Sequence, residues 1–433
     1  MRRYFVRNLQ TEMNEKLLQY LWNFKIFKSF DFQDVVGNDL QILDFGKWNF
    51  DSGPDFLFGK IKTGNLTLAG NVELHVKASD WIFHKHSQNP EFENLILHVV
   101  FINDVELEEF KNKNIPTLEL RDYIDESLLW KYESFLNENQ FIPCLKLFDP
   151  KEIPVNFWDE TLLKKLDEKS LEIENALHQN KNNYEAVLFQ NLAYSFGLKV
   201  NAHIFKQMAE SLDYEIVNKI RHNLLQLESL FFGICNWLND PKDDQMKIWK
   251  REFDFLEVKF SLPKNRVIPK FSKLRPPNFP TLRLSQLASL YHLNQNLFSK
   301  LISAKSVTEI YQIFAEVKAS EYWNDHFNFG KVSPVSGEKT LTKDFVDLIL
   351  INAILPLKYT YLKNTNEGIA EEILEFYAKI SPEKNTIIDG WKSLNLNVEN
   401  ALQSQAMIYH HNNYCQKKDC LHCEIGLQIL KKP

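Results

Sequence analysis

Between about Leu40 and Leu120, apolar and polar residues alternate with the two-residue period of strands. The runs are 41–45, 56–62, 66–77, 94–102 and 116–120, separated by Gly, Asn and Asp turns, and they predict a sheet of about five strands. Ahead of them Leu17, Leu18, Leu21, Trp22 and Phe24 recur at helical spacing, which predicts an amphipathic helix covering one face of that sheet. Beyond Phe148-Asp149-Pro150 the period becomes helical, in the stretches 183–196, 216–238, 284–301, 307–317, 345–362 and 370–380. The fold class expected is therefore α+β: a mixed α/β domain over residues 1–145, a large mainly α-helical region over 146–409, and a Cys-rich tail over 410–433. Pro143, Pro150 and Pro154 mark the first boundary without a low-complexity linker, and no repeat of fixed period occurs.

Composition changes this picture little, but charge distribution does. A chain of 433 residues with 44% hydrophobic content has enough apolar surface for two or three domains at roughly 150 residues each. With 51 Lys+Arg against 57 Asp+Glu the net charge is -6, so any anion-binding surface must be local. One segment has that local character: 258–308 contains no Asp or Glu, and holds Lys264, Arg266, Lys270, Lys273, Arg275 and Arg283 among prolines and phenylalanines. Interleaved cations and aromatics suit a phosphate backbone and unstacked bases, so the segment is expected to be a basic, partly extended arm that binds DNA or RNA. The alternative is a solvated loop paired with Asp240, Asp243 and Asp244.

Chemistry concentrates in Asp51-Ser-Gly-Pro-Asp55 and Glu73-Leu-His-Val-Lys77. A strand places Glu73, His75 and Lys77 on one side and Val72, Leu74 and Val76 on the other. Thr63-Gly64-Asn65 is a hairpin turn, and folding about Gly64 pairs residues whose numbers sum to about 128, which sets Asp55 opposite Glu73 at about 5 Å between Cα atoms. Two carboxylates that close need a cation between them or a raised pKa on one. With Lys77 beside them they form a toolkit for Mg²⁺- or Mn²⁺-dependent phosphodiester hydrolysis, in which Asp55, Glu73, His75 and Lys77 are the catalytic candidates and Asp55 and Glu73 the ligands.

Pro54-Asp55 on one strand and Lys77 on the next resemble the motif of the PD-(D/E)XK nuclease superfamily. That resemblance implies a restriction-endonuclease-like αβββαβ core, and it makes Glu15 the candidate acid of the first helix. The chain departs from the pattern where His75 stands two residues before Lys77 in place of Asp or Glu, a shift of about 6.6 Å from Glu73 along the strand. An imidazole there favours Mn²⁺ or a transition ion over Mg²⁺. Leu17 to Trp22, Ser52 to Phe56, Gly70 to Trp81, Asn94 to Val100 and the cysteine-bearing tail also resemble a bacterial family, domain of unknown function 2851, which brings no assigned activity.

Two further groups carry metal-ligand chemistry. His84 and His86, with His75 and His98, open the possibility of a histidine-based metal hydrolase of another class, although His98 in an apolar strand also reads as a core residue. Cys415, Cys420 and Cys423 have the spacing of a structural Zn²⁺ knuckle completed by His410, His411 or His422, or of an iron-sulfur cluster completed by Cys144 or Cys235. Walker, dinucleotide, Gly-x-Ser-x-Gly and His-Glu-x-x-His signatures are absent. Met1-Arg2-Arg3-Tyr4 is not followed by an apolar signal core, and the apolar stretch 345–357 is short for a bilayer and carries Asp347 and Pro356, so a cytoplasmic protein with no membrane partner is expected. The function expected is a metal-dependent nuclease or nuclease-derived protein. The alternatives are an inactive nucleic-acid-binding scaffold on the same fold and the histidine-based hydrolase. Oligomeric state is left open.

Overall fold

A computed structural model describes residues 13–137, 140–154, 156–365 and 368–432; Met1 to Tyr4 lie outside the described residues. The chain forms two units, one of residues 1–154 together with 411–433, the other of residues 155–410. The tail expected as a separate piece thus belongs with the N-terminal unit.

In that unit the first helix, α1 (Glu15–Phe24), starts where the Asn14 side chain accepts the Leu17 N–H, and ends at Lys25 in the left-handed region. Its apolar face buries Leu17, Leu18, Leu21 and Trp22 completely, worth about 1.5–3 kcal/mol for each large side chain. The sheet contains β1 (Phe32–Gln33), β2 (Asp39–Asp44), β3 (Lys47–Trp48), β4 (Phe56–Thr63), β5 (Leu66–Lys77), β6 (Leu95–Ile102) and β7 (Thr117–Glu119). Its order is β1-β2-β4-β5-β6-β7, with β3 on the end of β4. The strands β2, β4 and β5 run as an antiparallel meander, and β6 and β7 join parallel to β5. A parallel step needs a crossover, and the chain supplies it with one helical turn, α2 (Asp80–Phe83), and two 3-10 turns. Every residue of β6 is buried, as expected of a strand covered on both faces. Gly70 allows the crossover to close tightly, because a Cβ there would meet the Asn94 carbonyl at 2.4 Å.

The second unit is helical, built on one apolar core that runs from Leu162 to Leu402 and includes Phe189, Phe231, Trp249 and Leu287. Two expected helices are broken: 216–238 divides into Tyr214–Ile220 and Leu224–Ile234, and 284–301 into Pro280–Leu293 and Leu297–Ser303. In both cases Asn supplies the break, with Asn223 capping the new helix. The run Lys343–Leu362 is continuous through a π-helical segment, so it is longer as a helix than its apolar stretch reads. It is long and apolar enough to cross a membrane, yet 78% of its most apolar window is buried inside the protein, as in a core helix.

The basic segment is not a free arm. Val267 N–H donates to the Ile234 carbonyl, and Asn201 brackets Lys270 through both its N–H and its carbonyl, at 2.7 and 2.8 Å. The second half of the segment is core helix, and there the expectation for Arg283 fails. Arg283 is buried, its guanidinium lies 3.7 Å over the Phe345 ring, and it donates to Gln286 and Asn278. Arg266 pairs with Glu257, while Lys264, Lys270, Lys273 and Arg275 are exposed.

Candidate metal centre

The hairpin register fixes the first pair of groups. Phe56 faces Val72 and Thr63 faces Leu66, so Asp55 and Glu73 meet at the mouth of the β4–β5 ribbon, as the fold about Gly64 requires. The loop before β4 braces itself: Asn49 donates through its side chain to the Pro54 carbonyl at 3.0 Å and through its N–H to the Asp55 carbonyl at 2.8 Å. Asp55 N–H then donates to Glu73 Oε2 at 3.0 Å, Leu74 N–H donates to Asp55 Oδ2 at 2.9 Å, and Gln19 Nε2 reaches from α1 to Asp55 Oδ1 at 2.7 Å. Glu15 precedes Gln19 by one helical turn and is close enough to raise the pKa of both Asp55 and Glu73. Just past the pair, β4 carries a bulge at which Phe58 takes a φ of 63°, a strained feature beside the acids.

Histidines complete the cluster. His75 shares the strand face of Glu73 and is 1% exposed. After α2, Lys85 adopts a left-handed φ of 58°, which turns the chain and brings His84 and His86 back over β5. His84 Nδ1 lies 3.2 Å from His75 Nε2, and Glu73 Oε1 lies 3.7 Å from His75 Nε2 and 3.4 Å from His86 Nε2. The ligand atoms of His75, His84 and His86 all fall within 4.8 Å of one another. His86 is held by its ring packing on Phe92, centroids 4.1 Å apart, and His84 stands exposed at the rim. Deeper in, His98 Nε2 sits 3.0 Å from His75 Nδ1. For His75 Nε2 to bind an ion, Nδ1 must carry the proton and donate to His98, the usual arrangement behind a ligating imidazole.

Electrostatics agree with the geometry. Burial pushes the Asp55 and Glu73 carboxyls well above the ordinary range; for Glu73 the nearby Asp55 adds to it, while the Leu74 N–H opposes it at Asp55. Burial, then the neighbouring rings, drives His75 down to about 2 and His98 to about 3, so both are neutral imidazoles, the form that ligates metal. Glu73 Oε1 and His86 Nε2 are close without forming a hydrogen bond, and among the described residues His86 Nε2 has no hydrogen-bond partner. A divalent cation between them would satisfy both and restore the charge on the acids.

The sequence model of one protein family, described as Protein of unknown function (DUF2851), matches residues 15–386. The chain belongs to that family. The match takes in every residue of the histidine-carboxylate cluster and ends before the cysteine tail, which the sequence resemblance included. No curated protein and no solved structure matches the chain.

Of the four catalytic candidates, Asp55, Glu73 and His75 come together. Lys77 is not tied to them: it is exposed at the end of β5, and among the described residues no hydrogen bond or ion pair links its side chain to the cluster. His84 and His86, an alternative on sequence grounds, supply what Lys77 does not. Their signal was the His-x-His spacing, but the left-handed turn at Lys85 that aims them has no periodic signature. Cys415, Cys420 and Cys423 are buried in the same unit, together with Cys144.

Proposed function

We propose that this protein is a divalent-metal-dependent hydrolase acting on phosphodiesters, with the ion held by His75, His84, His86 and Glu73. The observation that carries the reading is the gathering of three imidazoles within 4.8 Å of one another, two of which, His75 and His86, approach the buried Glu73 carboxylate at 3.7 and 3.4 Å, with no Lys or Arg paired to it among the described residues. Histidine-rich sets of this kind favour Mn²⁺, Fe²⁺ or Zn²⁺ over Mg²⁺. The ion would polarise a phosphoryl oxygen and lower the pKa of a bound water, and the exposed side at His84 gives substrate and water their access. Asp55, its two oxygens occupied by Gln19 and Leu74, donates its N–H to Glu73 and so orients it, and Glu15, near enough to raise both acids, would accept a proton from the attacking water.

The phosphodiester class is supported by placement. A helix acid, an aspartate at the start of one strand and a glutamate facing it on the next follow the order of the PD-(D/E)XK nucleases. In this frame Glu73-Leu-His75 holds the acid-x-lysine positions, with His75 where those enzymes have lysine, and Lys77 has no part. The test is turnover of single- and double-stranded DNA, RNA and bis(p-nitrophenyl) phosphate by the purified protein with Mn²⁺, Fe²⁺, Zn²⁺ or Mg²⁺. Cleavage is expected with a transition ion, lost in Glu73→Gln and His84→Ala and kept in Lys77→Ala. Cleavage of the synthetic diester alone would move the substrate away from nucleic acid. No cleavage of any of them, with the ion demonstrably bound, would contradict the proposal.

A further inference from the structure

Cys144 lies some 270 residues before the tail cysteines, yet all four thiols are buried in the same unit, 6–8% exposed. The tail is clamped there by several contacts. The Phe141 and His411 rings stack at 4.7 Å, with His411 Nε2 3.1 Å from the Phe141 carbonyl, which draws the turn carrying Cys144 to the segment that ends in Cys415. Lys431 Nζ lies over the Phe24 ring of α1, and His422 stacks on Trp48. Within the tail, Cys420 to Cys423 forms a tight turn closed by the Cys423 N–H on the Cys420 carbonyl, and Gly426 N–H donates to Cys423 Sγ at 3.4 Å. Only glycine permits that approach, because a Cβ on Gly426 would come within 2.2 Å of the Cys420 carbonyl oxygen. An N–H aimed at a sulfur supports a thiolate.

A second observation points to a missing partner at this place. Tyr20, near Cys423, is completely buried, and among the described residues its hydroxyl has no hydrogen-bond partner. An orphaned buried hydroxyl is costly unless it meets an acceptor, and a metal-bound thiolate is one. Burial pushes all four thiols up, and Cys423 lies close enough to add to the rise at Cys144, Cys415 and Cys420.

We propose that Cys144, Cys415, Cys420 and Cys423 ligate an iron-sulfur cluster that staples the tail to the N-terminal unit. Of the other fourth-ligand candidates, Cys235 is sealed in the core of the helical unit, His422 spends Nδ1 on Asp419 at 2.6 Å, and His411 spends Nε2 on the Phe141 carbonyl, which leaves its buried Nδ1 without a partner among the described residues and makes His411 the rival that the variants below must exclude. A cluster is chosen over a single zinc ion because sulfurs around one zinc stand about 3.8 Å apart, given Zn–S near ~2.3 Å. Among the described residues, no three of these sulfurs gather within the 4.8 Å that the histidine ligands reach. A cubane spreads its thiolates wider. This inference is independent of the histidine centre.

The full chain should be purified without oxygen and assayed for iron, acid-labile sulfide and zinc, then reconstituted with ferric iron, a thiol reductant and sulfide if empty. Roughly four irons and four sulfides per chain are expected, with a broad visible absorption that bleaches on reduction. Cys144→Ala should lose the iron, whereas Cys235→Ala and His411→Ala should keep it. One zinc per chain, no iron after reconstitution, or full iron in Cys144→Ala would overturn the proposal. If the cysteine variants fail to fold, the iron and sulfide content of the parent decides alone.

Discussion

Each unit buries a carboxylate, and the two are handled in opposite ways. In the helical unit Glu228 is 2% exposed and raised by burial, but it accepts from the Ser285 hydroxyl, and the neutral Ser320, Trp323 and Trp249 side chains lie near it with no other hydrogen-bond partner among the described residues. Its surroundings are neutral donor groups, and Ser285 in turn accepts the Ser320 N–H at 2.9 Å, so the network ties helix to loop. In the N-terminal unit Glu73 meets a second acid and ring nitrogens that themselves want an electron-pair acceptor. Burial alone therefore does not mark a functional acid. What marks it is a shell of acceptors, which only a cation or protons can satisfy.

Substitutions can break this comparison. The largest expected effect is Glu73→Gln, which should reduce metal-dependent turnover by about a thousandfold or more, since it removes the one anionic ligand. In contrast, Glu228→Gln should leave metal binding unchanged and shift only the melting temperature, by an amount equivalent to about 1 kcal/mol. Next is His98→Ala, which leaves His75 without its orienting partner and should weaken metal affinity about 10–100-fold, as read by calorimetry.

A pH series sharpens the comparison further. A carboxyl raised in the folded state binds more protons folded than unfolded, so its contribution falls as pH rises above the ordinary carboxylate range. A histidine lowered to about 2 acts oppositely, destabilising the fold as pH drops below 6.5. Above 6.5 the histidines no longer matter, so metal-free protein should lose stability on further alkalinisation through Asp55 and Glu73, and saturating Mn²⁺ should abolish that slope. Denaturant melts at several pH values check it. The smallest effect should be Lys77→Ala, within about 0.5 kcal/mol in stability.

The strand pattern made much of this legible. The turn at Gly64 placed Asp55 against Glu73, and the alternation of β5 put His75 beside it, because a hairpin with one buried face has a single workable register. The same alternation says less at Lys77: the strand ends there, and the side chain at its tip stands exposed. His84 and His86 depend on the conformation of Lys85, which pattern cannot encode. Arg283 reads as one more cation in a basic run, yet its helix packs on every side, and the aromatic ring and amides that host it come from distant positions. Cys144 was visible only as one of two possible partners, since nothing local to it announces a contact with the far end of the chain.

The most direct measurement is titration of Mn²⁺, a poor match for thiolates, into metal-free protein by isothermal calorimetry, repeated with His84→Ala and Glu73→Gln. One saturable ion per chain is expected for the parent, with binding weakened at least tenfold in both variants. Absence of saturable binding, or parent-like affinity in both variants, would contradict the histidine-carboxylate centre.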